Sequence, residues 1–140
     1  MKKLSLGKVR TRTRGECLDF LISGKSILLE LERRGMDFVP RLGTDLVPTD
    51  VETRSTLLVE TDGDTPSGRV ALYVCPECGD YGCGVVSAKI ERDGDTVVWS
   101  EFGQENNYDD EFHPLARIGP YRFEWNDYRQ AVCSRPSNAL

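Results

Sequence analysis

No apolar run in these 140 residues is longer than six, far short of the ~20 that a membrane-spanning helix needs. Met1-Lys2-Lys3-Leu4 starts as a signal peptide does, but Gly7, Lys8, Arg10 and Arg12 arrive before a hydrophobic region can form. Asn-x-Ser/Thr acceptor sites are also missing. The expected location is the cytoplasm, without membrane contact. His113 is the only histidine, and no spacing points to a Cys–His nucleophile built on it. Neither Gly-x-x-x-x-Gly-Lys nor Gly-x-Gly-x-x-Gly occurs, which excludes the common phosphate-binding loops. Asp109-Asp110-Glu111 lacks the residues of a calcium loop. Lys and Arg are absent between Asp93 and Ala116, a stretch with seven acidic residues.

What is present fits a folded chain of ordinary composition, 39% apolar and 29% charged. A chain of this length forms one domain, 1–140, and buries about two thirds of its unfolded surface without a staple. Residues 1–14 carry six positive charges and no acid, leaving −11 on the rest against a total of −5. An acidic body disfavours phosphate backbones, so nucleic acid is not an expected partner.

Three of the five cysteines and three of the thirteen glycines fall within Cys75-Pro76-Glu77-Cys78-Gly79-Asp80-Tyr81-Gly82-Cys83-Gly84. Cys-Pro-x-Cys-Gly is the sequence of a metal knuckle. Pro76 fixes φ, Gly79 permits positive φ, and two thiolates and several backbone N–H groups converge on one ion. Cys83 is placed for a third ligand. A structural zinc ion needs a fourth, for which His113, Cys17 and Cys133 are the candidates, and no second Cys-x-x-Cys pair exists. The plainer alternatives are an exposed His113 beside Pro114, and thiols that simply pack in a glycine-rich turn. Disulfide exchange uses the same thiols, but Glu77 and Asp80 are expected to raise their pKa, and no helix follows the pair.

The rest of the chain reads as an α+β fold, an antiparallel sheet with one or two short helices packed on it and a cysteine-rich knuckle. Alternation over 9–14 predicts a strand with Arg10, Arg12 and Arg14 on one face, an anion stripe or a solvated edge. Cys17–Ile22 is a second strand. Ser26 predicts an N-cap for a helix carrying Ile27, Leu28 and Leu31, stopped by Gly35, with a strand over 26–31 as the competitor. Residues 36–68, broken by Pro40, Gly43, Pro48, Gly63, Pro66 and Gly68, predict little. Within them, Thr56–Glu60 suits a helical turn or a short strand.

Val70–Cys75 reads as a central buried strand. Asp93-Gly94 predicts a hairpin in which Arg92 faces Asp95, Ile90 faces Val97 and Ala88 faces Trp99. Gly103–Phe112 is expected as a surface loop, Arg122–Trp125 as a last strand, and Asn126 as the cap of a helix bearing Tyr128, Ala131 and Val132. Arg135-Pro136 then stops that helix, and the tail 134–140 frays.

Several of these segments resemble a family of small, largely uncharacterised bacterial proteins common in actinobacteria. They are Gly68–Gly84, Val97–Gly103, Glu105–Tyr108 and Gly119–Phe123, within a match over residues 68–132. The resemblance implies a bacterial, cytoplasmic protein, and some members are labelled oxidoreductase. It transfers no catalytic residue.

The leading expectation is a binding or accessory protein whose cysteine turn, filled by zinc, rigidifies a recognition surface. Asn106, Asn107, Tyr108, Asp109 and Asp110 form the candidate partner surface, suited to a protein with a basic face. The alternatives are a thiol-based oxidoreductase using Cys75, Cys78 and Cys83, and an immunity-type inhibitor whose acidic loop covers a basic toxin. An ordinary solvated loop is the plainer account of 106–110.

Overall fold

A computed structural model describes residues 1–42 and 50–134. The antiparallel α+β architecture is as expected, with two sheets where the sequence suggested one. In the smaller sheet, β1 (Leu4–Thr11) pairs with β2 (Gly15–Ile22), and β2 with the two-residue β3 (Lys25–Ser26). Helix α1 (Ile27–Arg33) follows directly. After β4 (Val39–Pro40) and α2 (Asp50–Leu57) comes the larger sheet's main run. It consists of β5 (Val70–Val74), β6 (Val85–Asp93) and β7 (Thr96–Glu105). The outer edge of β7 is shared by two short strands. β8 (Phe112–Pro114) covers Gly103–Glu105, and β9 (Tyr121–Glu124) covers Thr96–Trp99. Helix α3 (Trp125–Cys133) closes the described chain. Among the described residues no helix is long and apolar enough to cross a membrane.

Several local expectations need correction. The first strand begins earlier and ends at Thr11, and Arg12–Arg14 form the turn into β2. Gly15 at φ +68° and the Thr11 hydroxyl, which accepts from Arg14 N, make that turn. The arginine stripe is thereby dispersed: Arg12 pairs with Glu32, and Arg14 with Asp37 and Glu77.

Residues 26–31 are helical from Ile27, and Ser26 Oγ accepts from Leu29 N at 3.0 Å. The hairpin register is shifted by two residues, with Asp93 opposite Thr96 and Ile90 opposite Trp99. Gly94 takes the first loop position at φ +59°, where a tight turn needs a residue without Cβ. A two-residue shift preserves facing, so Ala88, Ile90, Val97 and Trp99 still point into the core. Nearer the other end a bulge places Glu101 at φ +51°.

The expected loop from Gly103 is partly strand. β7 continues to Glu105, and Phe102, Gly103 and Glu105 are buried. β5 is wholly buried but lies second in its sheet, and Cys75 has left it. Glu124, not Asn126, caps α3, accepting from Asn126 N and Asp127 N at 3.0 Å each. Thr56 and Leu57 belong to α2, and Val59 and Glu60 complete the turn after it. Gly43, Pro48, the Arg135-Pro136 stop and the tail from 135 lie outside the described residues.

Trp99 is the centre of the core. Phe20 from the small sheet, Phe123 from β9 and Tyr128 from α3 meet its ring at 5.6, 5.4 and 6.1 Å, edge to face. Its Nε1 donates to Tyr128 Oη at 3.1 Å, and Tyr128 donates to Leu57 O at 2.6 Å. This chain satisfies both buried polar tips and ties α2 to the aromatic cluster. Buried Asp19 makes a second such link. It accepts from Tyr73 Oη at 2.8 Å, Ser26 Oγ at 2.6 Å and Leu28 N at 3.1 Å, joining β2, β5 and the start of α1. Burial raises its pKa, and these donors oppose the rise.

Candidate metal centre

β5 delivers Cys75 at the end of a buried strand, and Pro76–Cys78 turn the chain back. Gly79 N donates to Cys75 O at 2.9 Å, closing the turn, and Gly79 sits at φ +68° as the knuckle requires. Asp80 N donates to Cys78 Sγ at 3.3 Å, a backbone-to-sulfur bond that fixes the side chain's direction. The Asp80 carboxylate caps the 3₁₀ turn Tyr81–Cys83, accepting from Gly82 N at 2.8 Å. Gly84 at φ +102° then redirects the chain into β6.

The result is three sulfurs on one small patch. Cys75, Cys78 and Cys83 offer Sγ atoms all within 4.8 Å of one another, with Cys78 and Cys83 at 3.4 Å. Tetrahedral Zn–S bonds of about 2.3 Å put sulfurs about 3.8 Å apart, so small adjustments suffice. These three cysteines lie close enough to hold a metal ion.

Their protonation differs. The backbone N–H groups of Glu77 and Cys78 and the neighbouring thiols lower the Cys75 pKa. Cys83 is pushed up to about 11, first by the Cys78 sulfur and its charge. Crowded thiolates repel, and a divalent cation removes that repulsion. The expected effect of the turn's carboxylates on Cys75 is reversed. Glu77 reaches out to Arg14 at 3.0 Å and Asp80 is spent on its cap, so backbone N–H groups dominate.

The other candidate ligands are not in this group. His113 lies on β8 opposite Gln104, exposed, its Nε2 3.4 Å from Glu111 Oε2. Cys17 is half-buried on β2 and Cys133 is exposed on α3. Among the described residues, Cys75, Cys78 and Cys83 are the one cluster of metal-ligating side chains.

The acidic loop folds beside the turn. Val85 pairs with Glu105, and a Cβ on Gly82 would stand 3.5 Å from Asn107 Oδ1. Asn106 Oδ1 accepts from Tyr108 N and Asp109 N at 3.0 Å each, and Asp109 Oδ1 accepts from Glu111 N at 2.9 Å. These bonds hold the loop in shape while Tyr108 stays 74% exposed. Asn107 and Asp110 are also exposed, and Asn106 and Asp109 half-buried. The cysteine turn and the loop thus lie side by side.

A cavity of about 550 Å³ lies on the turn's other flank, with Gly79 and Tyr81 in its wall. Its polar floor is Arg41, 3% exposed and paired with Asp64. Asp64 accepts from Tyr81 Oη and from Ala71 N at 3.0 Å each. Burial, with the Asp64 charge, raises the Tyr81 pKa. Arg41 Nε, buried, has no hydrogen-bond partner among the described residues. Sequence reasoning missed Arg41, Asp64 and Tyr81. The first two lie in the stretch without periodicity, and only the adjacency of Tyr81 to Cys83 hinted at a role. Buried Glu105 was also missed. It accepts from Ser67 Oγ at 2.9 Å and from Ser87 Oγ, anchoring the loop's first residue.

A scan against protein-family models found no match, and neither curated proteins nor solved structures yielded a similar chain.

Proposed function

We propose that this chain is a small cytoplasmic binding or accessory protein of the bacterial type it resembles, in which Cys75, Cys78 and Cys83 hold a zinc ion. The observation that carries this reading is the convergence of three Sγ atoms within 4.8 Å on a turn steadied by backbone N–H groups. Thiolate donors in tetrahedral spacing select zinc over hard cations. The fourth position falls to water or to a ligand from a partner. The metal fixes the turn, and the turn supports both the 106–110 loop and one wall of the 550 Å³ cavity. Asn106, Asn107, Tyr108, Asp109 and Asp110 then meet a partner protein with a basic surface, by charge complementarity. An immunity-type inhibitor is one form such a protein takes.

Thiol oxidoreductase is the second reading, favoured by the 3.4 Å separation of Cys78 and Cys83. Cys78→Ser separates the two. If the turn is a metal staple, the variant loses metal and about 2–4 kcal/mol of stability in urea titration. If the turn is redox machinery, it keeps its stability and loses thiol–disulfide exchange with oxidised glutathione. Unchanged stability with lost exchange overturns the leading reading.

A further inference from the structure

The basic residues of this acidic protein are not only scattered. A groove of about 960 Å³ runs between α1 and the 116–121 segment, and Lys2, Lys25, Arg33, Arg34 and Arg117 line it. Its lining holds one carboxylate, Glu30, already engaged by Arg33 and by Arg34. Lys2, Lys25 and Arg117 form no ion pair among the described residues. The lining also includes the buried Ile22, Ile27 and Ile118, and Leu29, which is 41% exposed. Arg117 is held at φ +67°, a conformation that costs a branched-off Cβ and that concentrates at sites with a task.

We propose that this groove docks an acidic peptide segment of a partner protein, with carboxylates on Lys2, Lys25 and Arg117 and an apolar side chain over Leu29. The size of the groove, with several cations around an exposed leucine, fits an extended or helical peptide better than a compact anion. Nucleic acid fits less well. Tyr121 is the one aromatic in the lining and already packs edge-on to Phe102 at 5.7 Å, so the groove lacks the row of aromatic platforms on which successive bases stack. The net charge of −5 also opposes a polyphosphate. This surface carries the opposite sign to the 106–111 loop and does not depend on the metal.

The test is calorimetric titration of the full chain with a synthetic peptide of alternating Glu and Leu, eight residues long. Three variants are compared. Arg117→Gly removes the cation and relieves the positive φ, so its melting temperature is unchanged or higher while binding weakens at least fivefold. Lys25→Glu with Arg117→Glu weakens binding at least thirtyfold, and Leu29→Ser at least threefold. Wild-type affinity falls as salt rises. The proposal is overturned by the absence of saturable binding, by variants that bind as wild type does, or by a single-stranded oligonucleotide of equal charge that binds more tightly than the peptide.

Discussion

Gly103 shows how closely the 106–110 loop is tied to the sheet that carries it. It lies on β7 just before the loop's anchor Glu105, and the Phe112 ring from β8 rests over it. A Cβ built there would stand 2.2 Å from Phe112 Cζ and 2.5 Å from Cε1. Ordinary contact begins near 3.4 Å, so Gly103→Ala forces the ring to move by about 1.2 Å or to swing out. The ring is half-buried, and the Arg69 guanidinium lies over it at 3.8 Å. Leaving that site forfeits part of an aromatic burial and a cation–π contact, together ~1–2 kcal/mol.

Phe112→Ala removes the obstacle, so in that background Gly103→Ala should cost under ~0.5 kcal/mol. A double-mutant cycle by urea denaturation therefore yields a coupling of about 1 kcal/mol. Equal costs in the two backgrounds would refute the reasoning, because they would mean that the backbone and not the ring sets the need for glycine.

Asp19 makes the stability of the fold depend on pH in a definite direction. Its folded pKa is raised, so its contribution is fully present below the unfolded value of about 3.9 and is lost as pH rises through the folded value. In Asp19→Asn one carboxylate oxygen becomes an amide nitrogen that cannot accept the bonds donated to it, costing ~1–3 kcal/mol at neutral pH. Urea titrations of both proteins from pH 4 to 7 should show the gap between them narrowing as pH rises, and a widening gap would contradict the sign. Reversing Asp109 and Asp110 to Lys should slow association with a basic partner and flatten its salt dependence while stability stays within ~0.5 kcal/mol. A pull-down from lysate at low salt, against wild type, checks this, and identical partners and recovery would remove the loop from the binding surface.

The legible parts of the fold were those with strong local signals. Ser26 and Gly35 bracket α1 because capping and positive φ are decided within a few residues. Ala88, Ile90, Val97 and Trp99 revealed the core face of the hairpin because strand periodicity survives a two-residue slip. That same tolerance hid the true register, since Gly94 suits either loop position and only the sheet beyond it chooses.

The arginine alternation misled because a turn at Arg12–Arg14 leaves the same pattern as a strand. Glu105 looked like loop because its partners, Ser67 and Ser87, are far away in sequence. At the candidate site, the proximity of Cys75, Cys78 and Cys83 was legible from spacing, since proline and glycine set the turn. The closeness of Asn107 to Gly82 was not, because it arises from the pairing of β6 with β7. Arg41 and Asp64 meet only through the tertiary fold.

The central claim rests on the metal. Elemental analysis of the chain purified without added metal, combined with thiol titration before and after chelation, tests it most directly. The account predicts close to one zinc per chain, with the Cys75, Cys78 and Cys83 thiols unreactive until the chelator is added. Full thiol reactivity from the outset, with no bound metal, would contradict it.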